Sequence, residues 1–149
     1  MVEIWVCNRE QVPSVIDEMG PLTYAHISIT SYRIGEWPIT IYGANCLAGL
    51  HFRLDDVDEA DNNSVPINDG QAKTIYSFVK ALYSSIDVLL INCEAGISRS
   101  AGVASAIACF LYKDDMAFIS RTGVLPHPNR AVFWSIMRVA ISSHEAWKK

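Results

Sequence analysis

Val88-Leu89-Leu90-Ile91 runs directly into Asn92-Cys93-Glu94-Ala95-Gly96-Ile97-Ser98-Arg99-Ser100. Four apolar residues without alternation are typical of a central strand in a parallel sheet that is covered on both faces. Residues 99–113 follow as an apolar, alanine-rich segment, which indicates a buried helix. The stretch therefore predicts a strand, a short loop containing glycine, and a helix, the repeating unit of α/β folds.

The rest of the chain continues this alternation of strands and helices. Runs with β-branched or alternating residues predict further strands at 4–7, 25–30 and 50–54. Apolar residues at helical spacing, with capping residues, predict further helices at 8–18, 68–84 and 131–142. Asn8 is assigned as the cap of the first helix, and segment 31–46 as an irregular excursion with a short strand at 39–42.

Strands separated by helices imply right-handed crossovers and a mostly parallel sheet. We therefore predict an α/β fold with four to five strands in a central sheet and helices on both of its faces. Without a linker or an internal repeat, residues 1–149 are expected to form a single domain.

Composition restricts the class of protein. Half of the 149 residues are hydrophobic, and the formal net charge of −4 disfavours a nucleic-acid partner. Four cysteines are too few for a disulfide scaffold, so free thiols and a cytoplasmic location are expected. The apolar run 101–112 is too short to cross a bilayer, and residues 1–5 do not resemble a signal peptide. We expect a monomer that binds neither membrane nor nucleic acid.

The loop after the central strand has the composition of an anion site. Gly96 and the start of the helix near Ser98 would bring backbone N–H groups together at a helix N-terminus. Arg99 adds a planar fork that suits two phosphate oxygens. The helix dipole and Arg99 would both favour the thiolate form of Cys93, and Ser100 could donate a hydrogen bond to its sulfur. A phosphate cradle that holds a nucleophile predicts phosphoryl transfer.

Phosphoryl transfer to a cysteine also needs a general acid for the departing oxygen. Strands 50–54 and 88–92 would end at the same edge of a parallel sheet, where ligands of such sheets bind. The acidic segment after strand 50–54 should therefore lie beside the Cys93 loop. Four residues of that segment are candidates for the acid: Asp55, Asp56, Asp58 and Asp61.

The segment from Cys93 to Ser100 resembles the phosphate-binding loop of the cysteine-dependent protein tyrosine phosphatases, in their dual-specificity branch. The resemblance extends from about Leu50 to Ser142 and includes Pro128-Asn129-Arg130. Residues 1–49 match only in the order of elements. The resemblance implies hydrolysis of a phosphorylated protein or peptide, with phosphotyrosine and also phosphoserine or phosphothreonine as candidate groups.

The resemblance also implies a role for each residue of the loop. Cys93 would form a phosphocysteine intermediate and Ser100 would assist its breakdown. Phosphate would be held by Arg99 and by the backbone amides of the loop, which comprises Glu94, Ala95, Gly96, Ile97 and Ser98. Registering 52–56 on the family pattern makes Asp56 the best match for the acid, with Asp55 next. No metal or other cofactor is implied.

One position departs from the family pattern. The residue before the nucleophile is usually His, and here it is Asn92, which lacks the imidazole that tunes the thiol. We expect reduced activity at acid pH rather than its loss. Asn92 is also the one feature that favours a phosphate-binding module without turnover.

The remaining alternatives concern other side chains and other substrates. A phosphoinositide or an RNA 5′-triphosphate is disfavoured because the loop lacks lysine. Asn129 either orients the site loops or begins the last helix. Cys7, Cys46 and Cys109 are interpreted as small core or strand residues rather than redox partners. The four histidines show no metal-ligand spacing and are interpreted as structural: His26, His51, His127 and His144.

Overall fold

The computed structural model of the chain describes residues 1–32, 43–57 and 65–143. The predicted strand at 39–42, Asp58, Asp61 and His144 lie outside the described residues. The elements, in chain order, are β1 (Glu3–Asn8), α1 (Val12–Met19), β2 (Tyr24–Thr30), β3 (Cys46–Arg53), α2 (Asp69–Leu82), β4 (Val88–Cys93), α3 (Arg99–Tyr112), β5 (Ile119–Ser120) and α4 (Arg130–Ser142).

The described strands form one sheet in the order β3-β2-β4-β1-β5, and all of its pairings are parallel. β4 lies in the centre and all six of its residues are buried, as its unbroken apolar run predicts. The predicted α/β class and parallel sheet are confirmed. β5 was not predicted, because its two residues pair only with Trp5 and Val6 of β1 and form no periodic pattern.

Helices cover both faces of the sheet. On one face, Leu89 and Ile91 of β4 pack in a core with Ile75 of α2, Val103 of α3 and Ile136 of α4. On the other face, α1 packs against alternate residues of β1 and β4. This second core contains Val12 and Val15 of α1, Trp5 and Cys7 of β1, and Val88 and Leu90 of β4. No helix within the described residues is long and apolar enough to cross a membrane.

Helix boundaries follow their local capping chemistry. The Asn68 side chain accepts from the Gln71 amide at 2.8 Å, and the Gln71 side chain accepts from the Asn68 amide at 3.0 Å, so α2 has the predicted capping box. α1 begins later than predicted. Asn8 remains in β1, paired with Cys93, and its side chain closes a turn by accepting from the Gln11 amide at 2.8 Å.

Candidate active site

Cys93 is the last residue of β4 and Arg99 is the first residue of α3, so the loop at 94–98 spans only a strand end and a helix start. Gly96 in this loop has a φ of +71°, and a Cβ there would lie 2.6 Å from the backbone carbon of Cys7. A side chain at this position would be strained and would also push the loop away from β1. Glycine is therefore required for this loop shape.

The loop directs several carbonyl groups outward. These carbonyls accept from backbone amides outside the loop: Glu94 from Arg9 at 3.2 Å, Ile97 from His127 at 2.9 Å, and Ser98 from Asn129 at 2.9 Å. Three of the carbonyl oxygens are thus engaged outside the loop, whereas the Gly96 amide donates to the Cys93 sulfur at 3.2 Å. Backbone N–H groups at the start of a helix suit an anion.

Cys93, at the start of this loop, is 2% exposed. Its sulfur is 3.0 Å from the Ser100 hydroxyl, in addition to the Gly96 amide. The structure thus brings the Ser100 hydroxyl into hydrogen-bonding distance of the Cys93 sulfur.

Arg99 is 6% exposed and its guanidinium is held from two sides. Nη1 donates to the Ser31 hydroxyl at 2.7 Å and to the Leu54 carbonyl at 2.9 Å. Ser31 follows β2 and Leu54 follows β3, so Arg99 joins the carboxyl ends of two strands to the start of α3. A guanidinium fixed in this way loses little conformational freedom when it binds phosphate.

The two neighbouring aspartates that compete for the acid role have different surroundings. Asp55 is 5% exposed, and its carboxylate accepts from the amides of Tyr32 at 3.2 Å and Val65 at 2.8 Å. Asp56 is exposed, and its Oδ1 accepts from the Ser98 hydroxyl at 2.7 Å and from Asn129 Nδ2 at 2.8 Å. Asp55 therefore holds separate chain segments together, whereas Asp56 contacts Ser98 of the loop at 94–98.

Asn129 performs both of the tasks between which the sequence left a choice. Its Oδ1 accepts from the Val132 amide at 3.0 Å as the N-cap of α4, and its Nδ2 donates to Asp56. Gly102 of α3 allows this arrangement, because a Cβ there would lie 2.9 Å from the Asn129 carbonyl oxygen. The capping bond fixes the amide group that holds Asp56.

Of the other cysteines, Cys7 is a buried core residue, whereas Cys46 and Cys109 are half-buried. Burial raises the pKa of Cys7 to about 12, an effect that Cys93 increases and Arg121 opposes. Burial also raises the pKa of Cys46 and of Cys109. All four cysteines of the chain are free.

One neighbour of the site was missed in the sequence. His26 Nε2 lies 2.7 Å from Asn92 Oδ1, and both side chains are buried. The sequence indicated only a structural role for His26, because the four histidines show no metal-ligand spacing, and 66 positions separate His26 from Asn92. The sequence signal for it is a histidine within a predicted strand that is rich in β-branched residues. The structure places that strand, β2, next to β4, which ends at Cys93.

Comparison with solved structures supports the same architecture. Human DUSP28 superposes with a TM-score of 0.59 at 15% identity, over 99% of this chain and 99% of that chain. DUSP15 superposes with a TM-score of 0.57 at 18% identity, over 98% of this chain and 88% of that chain. The human tyrosine phosphatase-like serine/threonine/tyrosine-interacting protein superposes with a TM-score of 0.56 at 18% identity, over 95% of this chain and 86% of that chain.

At the level of sequence, neither a protein-family model nor a curated protein matches the chain. The similarity therefore lies in the arrangement of the strands and helices. This chain has the fold of the dual-specificity cysteine phosphatases.

Proposed function

We propose that this protein is a metal-independent phosphatase that hydrolyses phosphotyrosine in proteins, with phosphoserine and phosphothreonine as further substrates. The observation that carries the proposal is the meeting of Cys93, Arg99 and Asp56 at one edge of the sheet. The Asp56 carboxylate, 42 positions away in sequence, is hydrogen bonded to Ser98 of the same loop that holds the Cys93 sulfur.

In the first half of the proposed reaction, the loop amides and Arg99 bind the non-bridging oxygens of the phosphate. The Cys93 thiolate attacks phosphorus, so a sulfur–phosphorus bond forms as the ester oxygen–phosphorus bond breaks. Asp56, in its protonated form, gives its proton to the departing oxygen, which leaves as an alcohol or a phenol. Asn129 orients the carboxyl group for this transfer.

In the second half, water attacks the phosphocysteine. The Asp56 carboxylate accepts a proton from that water, the sulfur–phosphorus bond breaks, and inorganic phosphate leaves. The Ser100 hydroxyl, 3.0 Å from the sulfur, donates a hydrogen bond to the thiolate as it departs. No step requires a metal ion.

The first test is hydrolysis of p-nitrophenyl phosphate with EDTA present. Wild-type protein should turn over, Cys93→Ser should lose turnover, and Cys109→Ser should match the wild type as a control for cysteine replacement. Turnover that survives in Cys93→Ser, or that disappears when EDTA is added, would contradict the proposal.

Asn92 favours a second candidate, a module that binds phosphoproteins without hydrolysing them. Under this alternative, reduced wild-type protein would release no phosphate from a phosphotyrosine peptide and would bind it as tightly as Cys93→Ser does. Under the phosphatase proposal, the wild type should release phosphate, and only Cys93→Ser should hold the peptide. Phosphate release from a short-chain phosphoinositide, measured in parallel with the phosphotyrosine peptide, tests whether the substrate is a lipid or a protein.

A further inference from the structure

A small buried polar cluster lies behind the phosphate-binding loop, on the face of the sheet that α1 covers. His26 and Ser28 of β2 are 1% and 2% exposed, and Asn92 of β4 is 0% exposed. His26 Nε2 lies 2.7 Å from Asn92 Oδ1. Asn92 is the residue immediately before Cys93, so the cluster touches the junction of strand and loop.

Strand register explains how the two residues meet. In the parallel pairing of β2 with β4, Ser28 lies opposite Asn92 and His26 lies opposite Leu90. Side chains alternate along a strand, so these four side chains share one face and Cys93 points to the other. His26 therefore reaches diagonally to Asn92 from the neighbouring strand, behind the nucleophile rather than beside it.

The contact with His26 is the one that orients the Asn92 amide. In the part of the chain that the structure describes, Asn92 Nδ2 and Ser28 Oγ are buried without a hydrogen-bond partner. A buried amide held at one end alone depends on that single bond for its orientation. Removal of the imidazole would leave both ends of the amide unsatisfied.

The electrostatic setting keeps this pair uncharged. Burial lowers the pKa of His26, and the hydrogen bond with Asn92 opposes this in part, so the imidazole is neutral at pH 7. With the Asn92 oxygen facing the ring, Nε2 carries the proton and donates it. On the adjacent strand, Cys7 lies opposite Asn92 and burial holds its pKa at about 12. Two charged groups lie near Cys93. Arg99 donates hydrogen bonds to residues at the ends of two strands, and Asp56 accepts hydrogen bonds from the loop and from Asn129.

We propose that His26 is a positioning residue for the Cys93 loop, which it holds in shape through its hydrogen bond to Asn92. Asn92, the residue before the nucleophile, has no imidazole, and His26 on the neighbouring strand β2 supplies one. The inference rests on the proposed function in that Cys93 is taken as the nucleophile. Its effect passes through the Gly96 amide and the Ser100 hydroxyl, which contact the Cys93 sulfur only while the loop keeps its shape.

The test replaces His26 and follows the Cys93 thiolate directly. The pH dependence of alkylation by iodoacetamide is measured at the Cys93 peptide by mass spectrometry, together with kcat on p-nitrophenyl phosphate. In His26→Leu, the midpoint of alkylation should move to higher pH, and kcat should fall about three- to tenfold, the range that loss of one hydrogen bond gives. His26→Gln keeps an N–H donor and should recover most of both values.

Tyr24→Phe is the matched control. Tyr24 is 1% exposed, lies on the same face of β2, and its hydroxyl accepts from the Gly43 amide at 2.6 Å, away from Asn92. Its loss should lower the melting temperature and leave alkylation and kcat unchanged. If His26→Leu behaves like Tyr24→Phe in all three measurements, His26 is only structural and the inference is overturned.

A measurement on the wild type does not depend on how the variants fold. Nitrogen-15 NMR of the His26 ring at pH 7 should show the neutral tautomer with the proton on Nε2, and a proton on Nδ1 instead would overturn the inference. The two proposals can also fail separately. If the wild type shows no turnover but the alkylation midpoint still shifts in His26→Leu, the phosphatase proposal fails and the positioning role of His26 stands. If the wild type turns over normally and His26→Leu changes neither the alkylation midpoint nor kcat, the positioning role fails and the phosphatase proposal stands.

Discussion

Asp56 and Asn129 are 73 positions apart in sequence, and their side chains meet at 2.8 Å beside the phosphate-binding loop. The amide that holds Asp56 is itself fixed, because its oxygen caps α4 by accepting from the Val132 amide. Asp55, the neighbour of Asp56, takes no part in this contact. The difference between the two aspartates leads to the sharpest prediction.

Asp56→Asn should lower kcat by about 10²–10⁴-fold, the usual contribution of general acid–base catalysis. The basic limb of the pH profile should disappear as well, because an amide has no proton to lose. Steady-state kinetics from pH 5 to pH 8 measure both effects.

Asp55→Asn is the matched control for Asp56→Asn. It weakens the bonds from the Tyr32 and Val65 amides, so stability should fall by about 1–3 kcal/mol while the basic limb is retained. If Asp55→Asn abolishes activity and Asp56→Asn does not, Asp55 is the general acid and Asp56 is not.

Ser100→Ala should slow the second half-reaction more than the first. The hydroxyl lies 3.0 Å from the Cys93 sulfur, where it stabilises the departing thiolate. With p-nitrophenyl phosphate, rapid mixing should show a burst of nitrophenol followed by a steady rate about tenfold lower than in the wild type, equivalent to about 1.4 kcal/mol. A uniform slowing without a burst would mean that Ser100 acts elsewhere in the reaction.

Gly102→Ala should reduce activity although it raises the helix propensity of α3. A Cβ at Gly102 would lie 2.9 Å from the Asn129 carbonyl oxygen, so the backbone that presents the Asn129 amide to Asp56 must move. A displacement of about 1 Å in a positioning group can cost about a hundredfold in rate, and kcat of this variant measures it.

Gly70→Ala in α2 is the control for Gly102→Ala. A Cβ there would approach only the Asn68 side chain, at 3.3 Å. This variant should keep full activity and unfold at an equal or higher temperature. Full activity in Gly102→Ala as well would show that the contact is not needed.

His26 should make the free energy of unfolding depend on pH below about pH 6.5. Above its ordinary pKa of 6.5, the imidazole is neutral in both the folded and the unfolded chain and contributes no pH dependence. Because burial lowers the folded-state pKa, the unfolded chain binds a proton first as pH falls below 6.5, and the free energy of unfolding drops by up to about 1.4 kcal/mol per pH unit. The loss ends below the folded-state pKa.

Chemical unfolding at pH 7.5 and at pH 5.5 measures this dependence. The difference between the two free energies of unfolding should be smaller in His26→Gln than in the wild type, since glutamine does not titrate. Equal differences in the two proteins would show that His26 has an ordinary pKa in the folded state.

Features encoded by near neighbours were predictable from the sequence. The apolar run 88–91 predicted the central strand, since a strand covered on both faces is typically apolar at each position. Asn68 and Gln71 marked the start of α2, because a capping box needs residues three positions apart. Cys93, Arg99 and Ser100 lie on one strand–loop–helix unit, so their spacing together with that local context predicted one shared site.

Other features were decided only when distant segments packed together. Asp55 and Asp56 are adjacent and chemically identical, and only the positions of Val65, Ser98 and Asn129 around them give each a different contact. The meeting of His26 with Asn92 depends on the pairing of β2 with β4, which no local pattern specifies. Local sequence sets the conformation of a segment and the chemistry it carries, whereas packing of the sheet and helices sets which side chains come within hydrogen-bonding distance.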